Sequence, residues 1–153
     1  MHRSLFRFGM IGAAALTLAV GGLQAVRAGA EESAAKKHGP IPWTESLDGA
    51  RKVAAKEKKV VMVDFWAEWC GPCKQMLATT YKDKTVVERA KKFVPVLVNV
   101  DKQQNLANKY SVESIPTVLF LDVKGKVLVR SVGYLGREDF LKLMDEAAKK
   151  AKS

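Results

Sequence analysis

The sequence predicts an α/β fold in which a central mixed β-sheet is flanked by helices. Two apolar runs, residues 60–66 and 93–100, have the composition of strands that are buried on both faces of a sheet. Two shorter segments, 117–121 and 126–132, flank a Lys-Gly turn and are expected to pair as antiparallel strands. A chain of 153 residues is long enough for one domain with one core.

Helices are predicted before, between and after these strands, because apolar residues recur there at helical spacing. The first helix is expected to be capped by Thr44 or Ser46 and to end near Lys58, with Trp43 covering the core just before it. The other predicted helical segments run from Cys73 to about Tyr81, from there to about Lys92, from Leu106 to Tyr110, and from beyond Gly133 to the C-terminal region.

Residues 1–28 have the composition of a secretory signal peptide. Basic residues precede an apolar run from Phe8 to Val26, and small residues permit cleavage after Ala28, with a second site after Ala30. We therefore divide the chain into a signal peptide (1–28), a flexible leader (29–42) and a folded domain (43–153). The protein is expected to be exported, to the periplasm or an equivalent compartment, and soluble after cleavage. Retention as a membrane anchor is the alternative, because the run approaches the roughly 20 residues that span a bilayer.

The formal net charge of the full chain is +10, and the chain stays basic after removal of residues 1–28. Its lysines cluster at the ends of predicted helices, where they are solvated and interact favourably with the helix dipole. Aromatic residues do not alternate with them as a base-stacking groove requires. No nucleic-acid partner is therefore predicted.

The two cysteines of the chain, Cys70 and Cys73, are separated by Gly71 and Pro72. If this turn places them at the start of a helix, the partial positive charge of the helix N-terminus favours a thiolate. Cys70 is then the exposed nucleophile, and Cys73 is the resolving thiol that attacks a mixed disulfide. In an exported protein the alternative is a structural disulfide, but closing so small a loop constrains little of the unfolded chain.

No cofactor and no metal ion are expected. A zinc site lacks ligands, because only His2 in the predicted signal and His38 in the predicted leader could join the cysteines. Covalent haem attachment requires a histidine directly after the second cysteine, where Lys74 stands.

Asp64 is the one charged residue in the first apolar run. A carboxylate in a buried strand is costly unless it is paired or used, and desolvation raises its pKa toward the range in which it exchanges protons with a thiol. Asp64 is therefore a candidate catalytic residue. A hydrogen-bonded structural aspartate at a strand end is the alternative.

The segment from Trp69 to Lys74, preceded by Val63–Ala67 and followed later by Ser114–Thr117, closely resembles the active-site region of thioredoxins. The resemblance covers roughly residues 60–150 and implies the thioredoxin fold. It further implies that Pro116 is cis and faces the dithiol, and that Asp64 assists proton transfer to and from the resolving cysteine.

By the same resemblance, a substrate-binding surface surrounds Cys70. Its residues are Trp69, Gly71, Pro72, Ile115 and Pro116. The backbone beside the proline would pair with the substrate as a β-strand does. The resemblance implies partner proteins that carry dithiols or disulfides. A reductase outside the cytosol must also be recharged, so a membrane protein that donates electrons is expected as a second partner. The protein itself is expected to be a monomer.

Two positions depart from the thioredoxin pattern. Leu97 occupies the place in the next strand where the family often has a lysine near the carboxylate, and Ala78 stands where the active-site helix often has a proline. The segment after Ala78 and the later turn at Gly125 make the chain more similar to exported thioredoxin-like domains, such as the terminal domain of the membrane electron carrier DsbD.

The sequence thus predicts an exported thiol-disulfide oxidoreductase that reduces protein disulfides in the cell envelope. The alternatives are a disulfide donor or isomerase of the envelope, and a binding module that keeps the fold without catalysis.

Overall fold

The computed structural model describes residues 38–152, which include a four-stranded sheet. In chain order its strands are β1 (Val60–Trp66), β2 (Phe93–Asn99), β3 (Thr117–Leu121) and β4 (Val127–Val132). Their order across the sheet is β2-β1-β3-β4. Strands β1 and β2 are parallel, whereas β3 is antiparallel to both β1 and β4. The predicted mixed sheet is therefore confirmed, with each strand within one residue of its expected bounds.

The helices are α1 (Leu47–Glu57), α2 (Gly71–Ala78), α3 (Lys84–Ala90), α4 (Gln104–Lys109) and α5 (Arg137–Lys150), with a 3-10 turn at Thr80–Lys82. Of the two predicted caps for α1, Ser46 is the N-cap, and its hydroxyl oxygen accepts a hydrogen bond from the Gly49 N–H at 3.1 Å. Lys58 ends this helix in a left-handed conformation. The expected end near Lys58 is confirmed.

The active-site helix is shorter than predicted. It was expected to continue to about Tyr81, but α2 ends at Ala78, because Thr79 leaves the helical region with φ −122° and ψ −76°. The Thr79 hydroxyl donates to the Gln75 carbonyl at 2.7 Å, so the side chain bonds the last turn of the helix. The chain then enters the 3-10 turn, which directs Tyr81 into the core.

The sheet separates two apolar clusters, because successive side chains of a strand point to opposite faces. On one face, Met62 and Trp66 of β1 pack in a cluster with residues of α2, α3 and α5. On the other face, Val61, Val63 and Phe65 pack with residues of α1 and α4. Alternation along β1 places Asp64 on the same face as Met62 and Trp66, which is the face covered by α2.

The packed part of the chain begins before Trp43. Ile41 is fully buried in the larger cluster, although the sequence analysis placed it in a flexible leader. Residues shortly after Ile41 add to the edge of β2: the Thr44 N–H donates to the Pro95 carbonyl at 3.1 Å, and the Leu97 N–H donates to the Thr44 carbonyl at 2.9 Å.

The predicted signal peptide and most of the predicted leader lie outside the described residues, so the division of the chain stays a prediction. Within residues 38–152, no helix combines the length and apolar character that crossing a membrane requires.

Candidate functional site

Cys70 and Cys73 form a disulfide at the start of α2. Their Cα atoms are 5.3 Å apart, which is within the usual range for a disulfide. Cys70 is the N-cap residue of the helix, and its Sγ accepts a hydrogen bond from the Cys73 N–H at 3.2 Å. Pro72 is tolerated in this first turn because its missing N–H would have no partner within the helix. The two sulfurs therefore lie at the helix N-terminus, as predicted.

The accessible part of this disulfide belongs to Cys70. Cys70 is 4% exposed, whereas Cys73 is completely buried. Cys70 is less exposed than predicted, because in the disulfide form both cysteines pack into the larger apolar cluster. The difference nevertheless favours attack at Cys70, because a substrate sulfur can approach only the accessible side of the pair.

Trp69 forms the outer wall of the site. It is 67% exposed, and its indole N–H donates to both carboxylate oxygens of Asp101, at 3.1 and 3.3 Å. Gly71 and Pro72 are also exposed. Asp101 thus fixes the orientation of an exposed aromatic ring beside the disulfide. This role of Asp101 was not predicted, because the contact joins two loops that are distant in sequence.

The Ile115-Pro116 peptide bond is cis, in agreement with the expectation from the thioredoxin resemblance. Pro116 directly precedes β3, whose first residue, Thr117, pairs with Phe65 near the end of β1. The cis proline therefore lies at the same end of the sheet from which β1 leads into the disulfide. Pro116 is buried, and its carbonyl accepts a hydrogen bond from the Gly133 N–H at 2.8 Å, while Ile115 is partly buried.

Asp64 lies in the interior of the sheet and is 1% exposed. Its strand neighbours are Leu97 on β2 and Val118 on β3, so neither adjacent strand supplies a cation. Burial raises the pKa of Asp64 from 3.8 to about 7, and the Tyr81 hydroxyl lowers it in part. Among the described residues, neither carboxylate oxygen has a hydrogen-bond partner. This carboxyl can therefore exchange a proton near neutral pH.

Tyr81 also lies in this region, although the sequence pattern does not mark it as a site residue. Its side chain is fully buried, and burial together with the nearby Asp64 charge raises its pKa well above the ordinary value. The position of Tyr81 depends on where α2 ends, and no spacing rule in the sequence indicates that point. Within the described part of the chain, no group of three or more His, Cys, Asp or Glu side chains is arranged to hold a metal ion.

A cysteine pair lies at a helix N-terminus, at the end of the sheet where the cis proline lies and on the face of the sheet that carries the buried carboxyl. This arrangement defines a redox-active dithiol site. The class of protein that this fold and site define is the thiol-disulfide oxidoreductases.

Comparisons with known proteins agree with this class. A family model described as a thioredoxin-like domain matches residues 47–148. Thioredoxin from Bacillus subtilis is 41% identical over 93 residues, which are 61% of this chain and 86% of that protein. The solution structure of a thioredoxin from Thermus thermophilus superposes with a TM-score of 0.64 at 31% identity, covering 70% of this chain and 87% of the other. The C-terminal domain of DsbD from Neisseria meningitidis, in its reduced form, has a TM-score of 0.59 at 25% identity, covering 66% of this chain and 93% of that domain.

The chain belongs to the thioredoxin-like family. The predicted fold, the resemblance to thioredoxins and the thiol-disulfide oxidoreductase activity are confirmed. The roles of the individual site residues stay predictions.

Proposed function

We propose that this protein is an exported, monomeric reductase of protein disulfides in the cell envelope. The observation that supports it most is the placement of its cysteines: the disulfide lies at the start of α2, and the buried Asp64 lies on the face of β1 that α2 covers. In this proposal Cys70 is the attacking thiolate, Cys73 is the resolving thiol and Asp64 accepts the proton of Cys73.

The first step is attack by the Cys70 thiolate on one sulfur of the substrate disulfide. A bond forms between the Cys70 sulfur and that substrate sulfur, the substrate disulfide breaks, and the other substrate sulfur leaves as a thiolate. The helix N-terminus favours the attacking thiolate, and the N–H of Cys73, which donates to the Cys70 sulfur in the disulfide, supplies a hydrogen bond to it.

The second step releases the substrate. Cys73 passes its proton to the Asp64 carboxylate, and the resulting thiolate attacks the Cys70 sulfur. The Cys70–Cys73 disulfide forms, the mixed disulfide breaks, and the second substrate sulfur leaves as a thiolate. With its pKa raised to about 7, Asp64 is substantially ionised at neutral pH and still basic enough to take a proton, which is the condition for an efficient general base.

The proposed docking surface consists of the exposed residues around Cys70. Trp69, Gly71 and Pro72 contribute accessible surface, and the backbone near Ile115 and Pro116 would pair with an extended segment of the substrate. The exposed Trp69 ring, held by Asp101, offers apolar area to a locally unfolded protein chain.

Export is supported by the signal-like composition of residues 1–28. A reductase outside the cytosol must regain two electrons after each turnover, and the proton held by Asp64 must return to Cys73. We therefore include in the proposal a membrane electron-donor protein that reduces the Cys70–Cys73 disulfide by the same exchange chemistry.

The direction of the reaction is inferred from the residues between the cysteines. Whatever stabilises the reduced, charged form of a dithiol makes it more oxidising. Gly71 and Pro72 carry no side-chain donor that could stabilise the Cys70 thiolate. Glu68 opposes a negative sulfur and Lys74 partly offsets this effect. A weakly stabilised thiolate favours the reductase over the disulfide donor or isomerase.

Insulin reduction tests the proposal. The wild-type dithiol is expected to reduce insulin, and Cys70→Ser is expected to abolish the activity. Cys73→Ala is expected to accumulate a mixed disulfide with insulin through Cys70, and Cys70→Ser serves as the matched control that accumulates none. A wild-type protein without activity, or trapping that is equal in both variants, would contradict the proposed roles.

A further inference from the structure

The larger apolar cluster contains three buried polar groups that lack hydrogen-bond partners among the described residues. They are the Trp43 indole N–H, both oxygens of the Asp64 carboxyl and the Tyr81 hydroxyl. Buried polar groups are nearly always bonded, because each unsatisfied one costs about 1–3 kcal/mol. An unpaired donor and an unpaired acceptor on the same side of the sheet therefore require an explanation.

The ring of Tyr81 is fixed from two sides. It makes edge-to-face contacts with Trp43, at a centroid distance of 5.1 Å, and with Phe140 of α5, at 5.2 Å. Such contacts restrict the orientation of the ring. The phenol hydroxyl is thereby held near Asp64, and the two groups influence each other electrostatically.

The other groups around Asp64 cannot take the place of this phenol. The paired residues on the neighbouring strands, Leu97 and Val118, are apolar. The cluster residues that α5 contributes, Phe140, Met144 and Ala147, carry no titratable group. From α2 and its cap, the titratable groups are the two buried cysteines and Lys74, whose side chain is exposed.

The one buried histidine among residues 38–152 is His38, and its ring contacts Trp66 edge-on at a centroid distance of 4.7 Å. The charged residues that line the recess beside His38 and Trp66 include Glu68 and Lys82, and both are exposed. Tyr81 is the side chain whose hydroxyl affects the pKa of the Asp64 carboxyl, and it lowers that pKa.

We propose that Tyr81 is a positioning residue for the second step: when Asp64 is ionised, the Tyr81 hydroxyl donates a hydrogen bond to the carboxylate and holds it ready to accept the Cys73 proton. A hydrogen bond to a charged acceptor is stronger and shorter than one to a neutral group, so ionisation draws the two groups together. Tyr81 keeps its own proton throughout. In this site the phenol supplies the stabilisation that Leu97, an apolar residue on the neighbouring strand, cannot. The proposal rests on the proposed role of Asp64.

Tyr81→Phe removes the hydroxyl and keeps the ring contacts. Because the hydroxyl makes no hydrogen bond of normal geometry to the described residues in the disulfide form, its loss is expected to leave the fold intact. Without the donor the Asp64 carboxylate is less stable, so the carboxyl holds its proton to higher pH. A hydrogen bond to a charged group corresponds to a shift of about one pH unit.

The experiment measures single-turnover reduction of a disulfide substrate from pH 5 to pH 9 for wild type, Tyr81→Phe, Asp64→Asn and the double variant. We expect Tyr81→Phe to move the midpoint of the profile upward by about one pH unit and to slow the reaction about tenfold on its acid side. In the Asp64→Asn background, Tyr81→Phe should have no further effect. Tyr110→Phe is the matched control, because Tyr110 donates to the Gly125 carbonyl on the opposite side of the sheet.

A Tyr81→Phe profile that superimposes on the wild type, while Asp64→Asn alters it, would overturn the role of Tyr81 and leave that of Asp64 intact. An equal effect of Tyr81→Phe in both backgrounds would also overturn it, since the tyrosine would then act through packing. If Asp64→Asn itself left the profile unchanged, Asp64 would not be the proton acceptor, and the role of Tyr81, which depends on it, would be overturned as well. An NMR titration of the Asp64 carboxyl in the oxidised protein is the second readout: the pKa must be higher in Tyr81→Phe than in wild type.

Discussion

The stability of the oxidised protein should depend on pH through Asp64, and Asp64→Asn should remove this dependence. The folded protein holds the Asp64 proton until about pH 7, whereas the unfolded chain releases it near pH 3.8. Between these values the folded state binds more protons than the unfolded state, so stability falls as the pH rises. This difference between the two pKa values corresponds to about 4 kcal/mol in the free energy of unfolding, which the wild type loses as the pH rises across this window. Asparagine has a similar shape and stays neutral, so Asp64→Asn should be more stable than wild type by up to about 4 kcal/mol at pH 8 and nearly equal at pH 4.

The assay is urea unfolding of the disulfide form, followed by tryptophan fluorescence at several pH values between 4 and 8. The quantity of interest is the difference in the free energy of unfolding between variant and wild type, which cancels the pH dependence of the other groups. Glu113→Gln, at an exposed carboxylate, is the matched control, and its difference should stay within about 0.5 kcal/mol throughout. A difference for Asp64→Asn that is constant across the pH range would refute the reasoning, because it would mean that Asp64 is ionised at low pH in the folded state as well.

Three further outcomes are expected. Ser46→Ala should lower the free energy of unfolding by about 1 kcal/mol in urea denaturation, because it removes the N-cap of α1; an unchanged midpoint would show that the cap contributes nothing. Trp69→Phe should raise KM for insulin about fivefold with little change in stability, because the ring loses its hydrogen bond to Asp101; an unchanged KM would remove the tethered indole from the docking surface. Protein recovered from the envelope should begin near Gly29 or Glu31 by intact-mass spectrometry, and a chain that starts at residue 1 in the membrane pellet would contradict signal cleavage.

The sheet could be predicted closely because its strands are marked by continuous apolar runs and by a turn. Buried strands need such runs, and their composition is a local property of the chain. The site could be located because the cysteine pair and the buried Asp64 are unusual in their own surroundings. These features do not depend on which distant residues they meet in the folded protein.

The remaining features depend on tertiary contacts. The sequence pattern of a helix continues past Ala78, but α2 ends there because the dihedral angles of Thr79 are not helical. Ile41 lies between two prolines in a polar segment, so its composition indicates a leader, whereas its burial comes from its place beside the edge of β2. The contact between Tyr81 and Asp64 follows from the early end of α2. For this reason the local sequence pattern did not reveal the phenol.

The reduction potential of the Cys70–Cys73 couple tests the proposed direction of the reaction most directly. The full-length mature protein is equilibrated with glutathione buffers of graded composition, and the fraction of disulfide is read by alkylation and mass. A reductase whose Cys70 thiolate is only weakly stabilised should have a potential near the roughly −270 mV of thioredoxin. A potential near the roughly −120 mV of DsbA would contradict the account, and the protein would then be a disulfide donor.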